Sequence, residues 1–194
     1  MWDIANQLGV NVIGTGDLSE SALGWATYNG DHMSMYSINC DIPKTMVRYL
    51  VAHCININVT PLSDILMDIL QTPVSPELLP PVGETISQQT EEIVGPYELH
   101  DFVLFYTLRY GFMPHKIFRL ACLALGDKYK KETIKHWMTV FYRRFFAQQF
   151  KRSCLPDGPA VGRVSLSSRG GWLMPRAVKS SIWREDVEAI SVES

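Results

Sequence analysis

Val12-Ile13-Gly14-Thr15-Gly16-Asp17-Leu18-Ser19-Glu20-Ser21-Ala22-Leu23-Gly24-Trp25 is the stretch on which the reading of this chain turns. A short β-branched run ends in a Gly-Thr-Gly turn, and the turn opens a helix. Backbone amides, the Thr15 hydroxyl and the carboxylates of Asp17 and Glu20 are thereby gathered at the carboxyl end of a strand. Open parallel sheets bind nucleotides at that place, because the free amides of a helix N-terminus attract anions. Asp17 and Glu20 are three residues apart, so one helix face presents both. Such a pair suits a hydrated magnesium ion that also touches phosphate. A helix cap at Asp17 or Ser19 with a first-turn Glu competes with that reading, and spacing alone favours the cap.

Trp2, Ile4, Ala5 and Leu8 lie on one helical face, and Gly9 ends that helix. A helix that starts on the first Met with no cap reads as an engineered or partial chain. Residues 10–14 read as a buried strand and residues 17–26 as a short helix. Residues 27–42 show no period and read as a long loop, which at that length is functional or disordered. Pro43 opens a helix over 43–55, and Thr60 caps another through Leu70 with Pro61 in its first turn. Prolines and glycines make 71–95 a loop with at most a turn or two of helix. From Pro96 the pattern is helical: to Tyr110 before Gly111, from Pro114 to Leu125 before Gly126, and from about Tyr129 to Phe150. The tail, 151–194, is rich in Gly, Ser, Pro and Arg, with a short helix near 179–189. One clear strand cannot make a sheet. The expectation is an α/β domain of which this is a mostly helical part with few strands, the others lying upstream.

With 194 residues, 46% of them hydrophobic, the chain can form one domain with a core. No apolar run reaches the ~20 residues that span a bilayer, and no charged-then-apolar leader marks a signal peptide. Cys40, Cys54, Cys122 and Cys154 stand in no CxxC spacing. Free thiols in a reducing cytoplasm are the plain reading, and no Cys/His cluster has zinc-ligand spacing. The net charge of -2 hides an asymmetry: residues 1–100 hold Lys44 and Arg48 against twelve acids, and 101–194 hold sixteen bases against eight. The halves can attract each other, and the basic half can face a polyanion. The five histidines are scattered and accompany no GxSxG, HExxH or GxxxxGK[ST] motif, so nothing marks a self-contained hydrolase.

Lys44 and Arg48 sit at a helix start, where cations oppose the helix dipole unless an anion or carboxylate compensates. A solvated face is the equal alternative. In Phe141-Tyr142-Arg143-Arg144-Phe145-Phe146-Ala147-Gln148-Gln149-Phe150-Lys151-Arg152, aromatics interleaved with cations could stack bases and hold phosphate. An aromatic core face is the preferred reading for Phe141, Phe145 and Phe146. Lys151 and Arg152, read as lying past the helix, are better ligand candidates than the helix residues.

The pieces IGTGDLSESALGWATYNGDHMSMY, IPKTMVRYL, TPVSPELLP, GPYELHDFVLFYTLRYGF, FYRRFFAQQFKRSCLPDGP and VSLSSRGGW, in this order, closely resemble the synthetase domain of glutamine-dependent NAD synthetases. The resemblance runs from residue 1 to about residue 183. It implies a Rossmann-like pyrophosphate-loop fold of the adenine nucleotide α-hydrolase type, with 1–152 the C-terminal portion of the synthetase domain and 153–194 its tail. It implies amidation of deamido-NAD to NAD with ATP, through an acyl-adenylate, aided by magnesium (Mg2+). Ammonia comes in that family from glutamine, by an N-terminal glutaminase domain. Carried onto these positions, Thr15 resembles an ATP contact, and Ser75 falls where relatives carry an ATP-contacting threonine. Glu20 resembles the acid beside metal and substrate. Trp25, Asp31, Lys44 and Lys151 resemble contacts to deamido-NAD. The family's Ser-Gly-Gly-x-Asp-Ser ATP loop has no counterpart in these residues, so the chain by itself is expected to be inactive. Where relatives often read Ser-Pro-Arg-Gly-Asp-Trp, this chain reads Ser167-Ser168-Arg169-Gly170-Gly171-Trp172, without the acid. The resemblance further implies a homo-oligomer, with no membrane and no specific nucleic acid as partner. The other readings carried forward are a non-catalytic oligomerisation piece built on residues 96–150 and a nucleic-acid module built on the basic aromatic helix.

Overall fold

The computed structural model describes residues 1–30, 32–57, 62–72 and 94–192. Helix α1 (Trp2–Leu8) ends at Gly9 and leads to strand β1 (Ile13–Gly14). Helix α2 (Leu18–Leu23) then crosses over to strand β2 (Tyr36–Ser37). The two strands pair in parallel, Ile13 opposite Tyr36 and Gly14 opposite Ser37. Two sequence expectations are corrected here. The segment 27–42 is not all loop, because it contains β2. The strand at 10–14 is neither long nor buried: it spans two residues, and Ile13 is 49% exposed. The β2 signal is faint because Met35-Tyr36-Ser37-Ile38 is too short to show a period of two.

Helices α3 (Lys44–Ile57) and α4 (Leu62–Gln71) follow, packed on each other and with no buried residue on either. Thr60 and Pro61, expected to start the second of them, lie outside the described residues. Then come α5 (Tyr97–Tyr110), α6 (Pro114–Leu125) and α7 (Lys131–Ala147). The long helix expected to run to Phe150 breaks at Gln148 and resumes as α8 (Gln149–Arg152). Lys151 and Arg152 therefore lie in a helical turn, not after one. The tail holds α9 (Ser181–Glu188), close to its expected place.

The core joins α2, α5, α6 and α7 with the tail. Leu23, Ile117, Ile134, Phe141, Tyr142 and Phe145 are fully or almost fully buried in it. Phe141 and Phe145 stack, with ring centres 5.4 Å apart. Burying such aromatic faces is the main drive for this assembly. Among the described residues the four cysteines are free, as expected, and no helix is long and apolar enough to cross a membrane.

Candidate functional site

Asp17 caps α2. Its carboxylate accepts from the Glu20 amide at 2.9 Å, while Glu20 Oε2 accepts from the Asp17 amide at 3.1 Å. This reciprocal box satisfies two of the amides left open at a helix start. Lys44, at the head of α3, reaches both acids: its Nζ lies 2.6 Å from Asp17 Oδ2 and 2.7 Å from Glu20 Oε1. Carboxylates thus compensate the cation at this unfavourable helix position. The first amides of α3 are capped from other helices. Lys44 N donates to Ser19 Oγ at 2.8 Å, and Thr45 donates to Asp101 Oδ2 through its amide (3.1 Å) and its hydroxyl (2.7 Å). Ser19 Oγ donates to the other Asp101 oxygen. Asp101 therefore ties α2, α3 and α5 together. Sequence reasoning missed it, and its only signal was an acid at the head of the apolar run Phe102-Val103-Leu104-Phe105.

One cation serves two acids here. Burial and the adjacent Glu20 charge outweigh Lys44 at Asp17, whose pKa is pushed up to about 6. At Lys44 burial acts downward, but Asp17 and Glu20 together raise the ammonium above its ordinary value. Burial also raises Asp101.

The carboxyl end of α2 collects cations from α7 and α8. Arg144 Nε donates to the Leu23 carbonyl at 3.1 Å. Lys151 Nζ donates to Gly24 O at 2.8 Å and Ala26 O at 2.7 Å. Arg152 donates to Ser21 O (3.2 Å), Ala22 O (2.9 Å), Gln149 Oε1 (2.8 Å) and Phe145 O. Cations suit this negative end of the helix dipole. Much of the attraction between the two halves is thus cation to carbonyl, with Lys128–Glu98 an ion pair that crosses them. Arg152 is 1% exposed, and burial lowers its pKa to about 10. Its guanidinium holds α2, and the residue also lines the cavity at the carboxyl end of β1. The basic aromatic helix is corrected as a stacking platform, because Phe141, Phe145 and Phe146 are buried in the core as preferred.

A cavity of about 310 Å³ opens at the carboxyl end of β1. Thr15, Glu20, Lys44 and Lys151 line it together. Trp25 does not line it; its ring packs against the core with the Arg144 guanidinium 5.1 Å from its centre. Asp31 and Ser75 lie outside the described residues. His32 and Ser34 also line the cavity, and sequence reasoning gave neither any weight. Among the described residues no three His, Cys, Asp or Glu side chains gather as a metal cage. A magnesium ion here would take most of its ligands from phosphate and water, and Glu20, with a quarter of its side chain exposed, fits that role.

An anion-suited cavity at a parallel strand end, walled by a capped helix, is the mark of an α/β nucleotide-binding domain. The NAD synthase family profile matches residues 1–119, and the chain belongs to that family. It is 42% identical to the glutamine-dependent NAD(+) synthetase of Mycobacterium leprae over 97% of this chain and 31% of that protein. It is 41% identical to that of Mycobacterium tuberculosis over the same shares. The chain spans about a third of the length of the curated relatives it matches. Its fold matches the crystal structure of a glutamine-dependent NAD(+) synthetase from Cytophaga hutchinsonii with a TM-score of 0.70. That match has 16% identity and covers 96% of this chain and 27% of the other. The fold class is therefore the expected pyrophosphate-loop α/β fold, of which this chain is a mostly helical part.

Proposed function

We propose that this chain is part of an enzyme that amidates deamido-NAD to NAD at the expense of ATP. The observation that carries the reading is the convergence of Thr15, Glu20, Lys44 and Lys151 on one cavity. In it the nicotinate carboxylate attacks the α-phosphate of ATP, pyrophosphate leaves, and ammonia displaces AMP from the acyl-adenylate. Ammonia is drawn from glutamine by a glutaminase domain of the same enzyme. Thr15 donates its hydroxyl to ATP, as does Ser75. Lys151 and Lys44 offset the charge of the dinucleotide, with Trp25 and Asp31 completing its contacts. Glu20 would hold a magnesium ion, which would offset phosphate charge when bound. The contribution of these residues is position and electrostatics, which together supply most of the rate in such transfers.

Residues 1–152 serve as the C-terminal portion of the synthetase domain and 153–194 as its tail, within a cytoplasmic homo-oligomer. The chain contains no Ser-Gly-Gly-x-Asp-Ser loop, so turnover is expected to need residues outside it. Robust ammonia-dependent NAD formation by this chain alone would overturn that part. The test of the binding reading is a calorimetric titration of deamido-NAD into the chain, with Lys151→Ala beside it. Binding that weakens in the variant supports it; binding that is unchanged removes Lys151 from the site.

A further inference from the structure

Cys154 and His32 meet at the edge of the cavity. The Cys154 sulfur is 3.6 Å from His32 Nε2. His32 Nδ1 is 3.1 Å from the Thr27 carbonyl. A carbonyl only accepts, so Nδ1 carries the ring hydrogen and Nε2 turns its lone pair to the sulfur. His32 is buried, and its ring stacks on Tyr28 with centres 5.2 Å apart. Tyr28 in turn packs on Phe150 at 5.3 Å. The imidazole is thereby held in one orientation. The sulfur also lies 3.3 Å from the Lys151 carbonyl. Of these two acceptors only the imidazole can carry the thiol proton away. Cys154 remains partly exposed.

We propose that Cys154, with His32 as its proton acceptor, is the site at which this chain is oxidised by peroxides. The thiol proton passes to His32 Nε2. The thiolate attacks one peroxide oxygen, forming an S–O bond as the O–O bond breaks. The sulfur loses two electrons and becomes a sulfenic acid. The departing hydroxide takes the proton from the imidazolium and leaves as water. Cys154 lies in the turn that follows α8 and its sulfur contacts the Lys151 carbonyl, so the added oxygen disturbs the wall that presents Lys151 to the cavity. That consequence rests on the nucleotide reading above, whereas the oxidation does not.

The test treats the intact chain with hydrogen peroxide and dimedone, which traps sulfenic acid, and follows each cysteine by peptide mass mapping. Cys154 is expected to gain the adduct about tenfold faster than the exposed Cys54, the modest end of what a placed proton acceptor contributes. His32→Gln, which can still donate to the Thr27 carbonyl but cannot take the proton, brings Cys154 down to the Cys54 rate. Equal rates in the unaltered chain overturn the proposal, and so does a His32→Gln rate that stays high. The ratio in the unaltered chain decides alone if the variant does not fold. Deamido-NAD binding that falls in step with the adduct, and persists after peroxide in Cys154→Ala, supports the effect on the cavity. A chain that binds no deamido-NAD before peroxide fails the nucleotide reading, while the labelling rates still judge the oxidation.

Discussion

Lys151 Nζ lies 2.8 Å from the carbonyl oxygen of Gly24, 127 positions earlier in the chain. The bond joins the last turn of the helical half to the turn that ends α2. Gly24 closes α2 in the left-handed region, at φ +61°. One wall of the cavity is thus made where α8 meets the end of α2, and its cation is held by backbone oxygens before any ligand arrives.

Lys151→Ala is expected to weaken deamido-NAD binding at least about tenfold, the scale of one charge-assisted hydrogen bond. Titration calorimetry reads the affinity and a thermal melt reads the fold. A large melting shift with unchanged affinity would assign Lys151 to structure alone.

Gly24→Ala meets two obstacles. A Cβ there would stand 2.3 Å from Gln148 Cβ, and the positive φ is strained for any L side chain. The expected loss is about 3 kcal/mol of stability by urea denaturation, combining the backbone strain with overpacking. A loss below about 1 kcal/mol would show that Gln148 moves aside freely.

Lys44→Met leaves Asp17 and Glu20 together with no cation, one of them buried. The expected loss at neutral pH is about 3–5 kcal/mol. The damage should shrink near pH 5, where buried Asp17, its pKa already raised to about 6, takes up a proton. Denaturation midpoints at the two pH values check this, and a pH-independent loss would count against the charge explanation.

Buried Asp17 and His100 oppose each other in acid. Burial lowers the His100 pKa from 6.5 to about 4, its Nε2 donating to Val94 O at 2.6 Å. The unfolded chain binds that proton first, so His100 contributes stability that is present above pH 6.5 and lost as pH falls toward 4. Asp17 has its pKa raised from 3.8 to about 6, so the folded chain binds its proton first. Its effect has the opposite sign: stability is lost as pH rises from about 4 to 6. Asp101, also raised by burial, adds to the Asp17 side. Asp17→Asn keeps a capping oxygen and should expose a steeper acid loss, while His100→Gln should reverse the slope. Each change amounts to roughly 3 kcal/mol across the window. Urea midpoints from pH 4 to 7 read both, and parallel curves for all three chains would refute the assignment.

Much was legible before any coordinates. The box Asp17-Leu18-Ser19-Glu20 reads as a helix start and is one. Gly9 and Gly111 read as helix stops, and each adopts the left-handed turn that ends a helix, whereas Gly24, read as lying inside a helix over 17–26, ends α2 at Leu23 in the same way. Phe141, Phe145 and Phe146 read as core and are buried. Gly171 lies so close to Ser165 O that a Cβ would be only 2.6 Å away, so the loop has no room for a side chain there without a shift.

The sequence by itself determined the family, most of the helices, the cap at Asp17 and the inward face of α7, but not that of α1, where Ile4 and Leu8 are exposed. Those properties depend on contacts three or four residues apart, or on a pattern of letters that survives in relatives. Only the tertiary structure decided the pairing of β1 with β2, the choice of Lys44 to bridge Asp17 and Glu20, the burial of Arg152, and the meeting of His32 with Cys154. The last three of these join residues 24 to 131 positions apart. Their partners are selected by how whole helices pack, and no local periodicity records that choice.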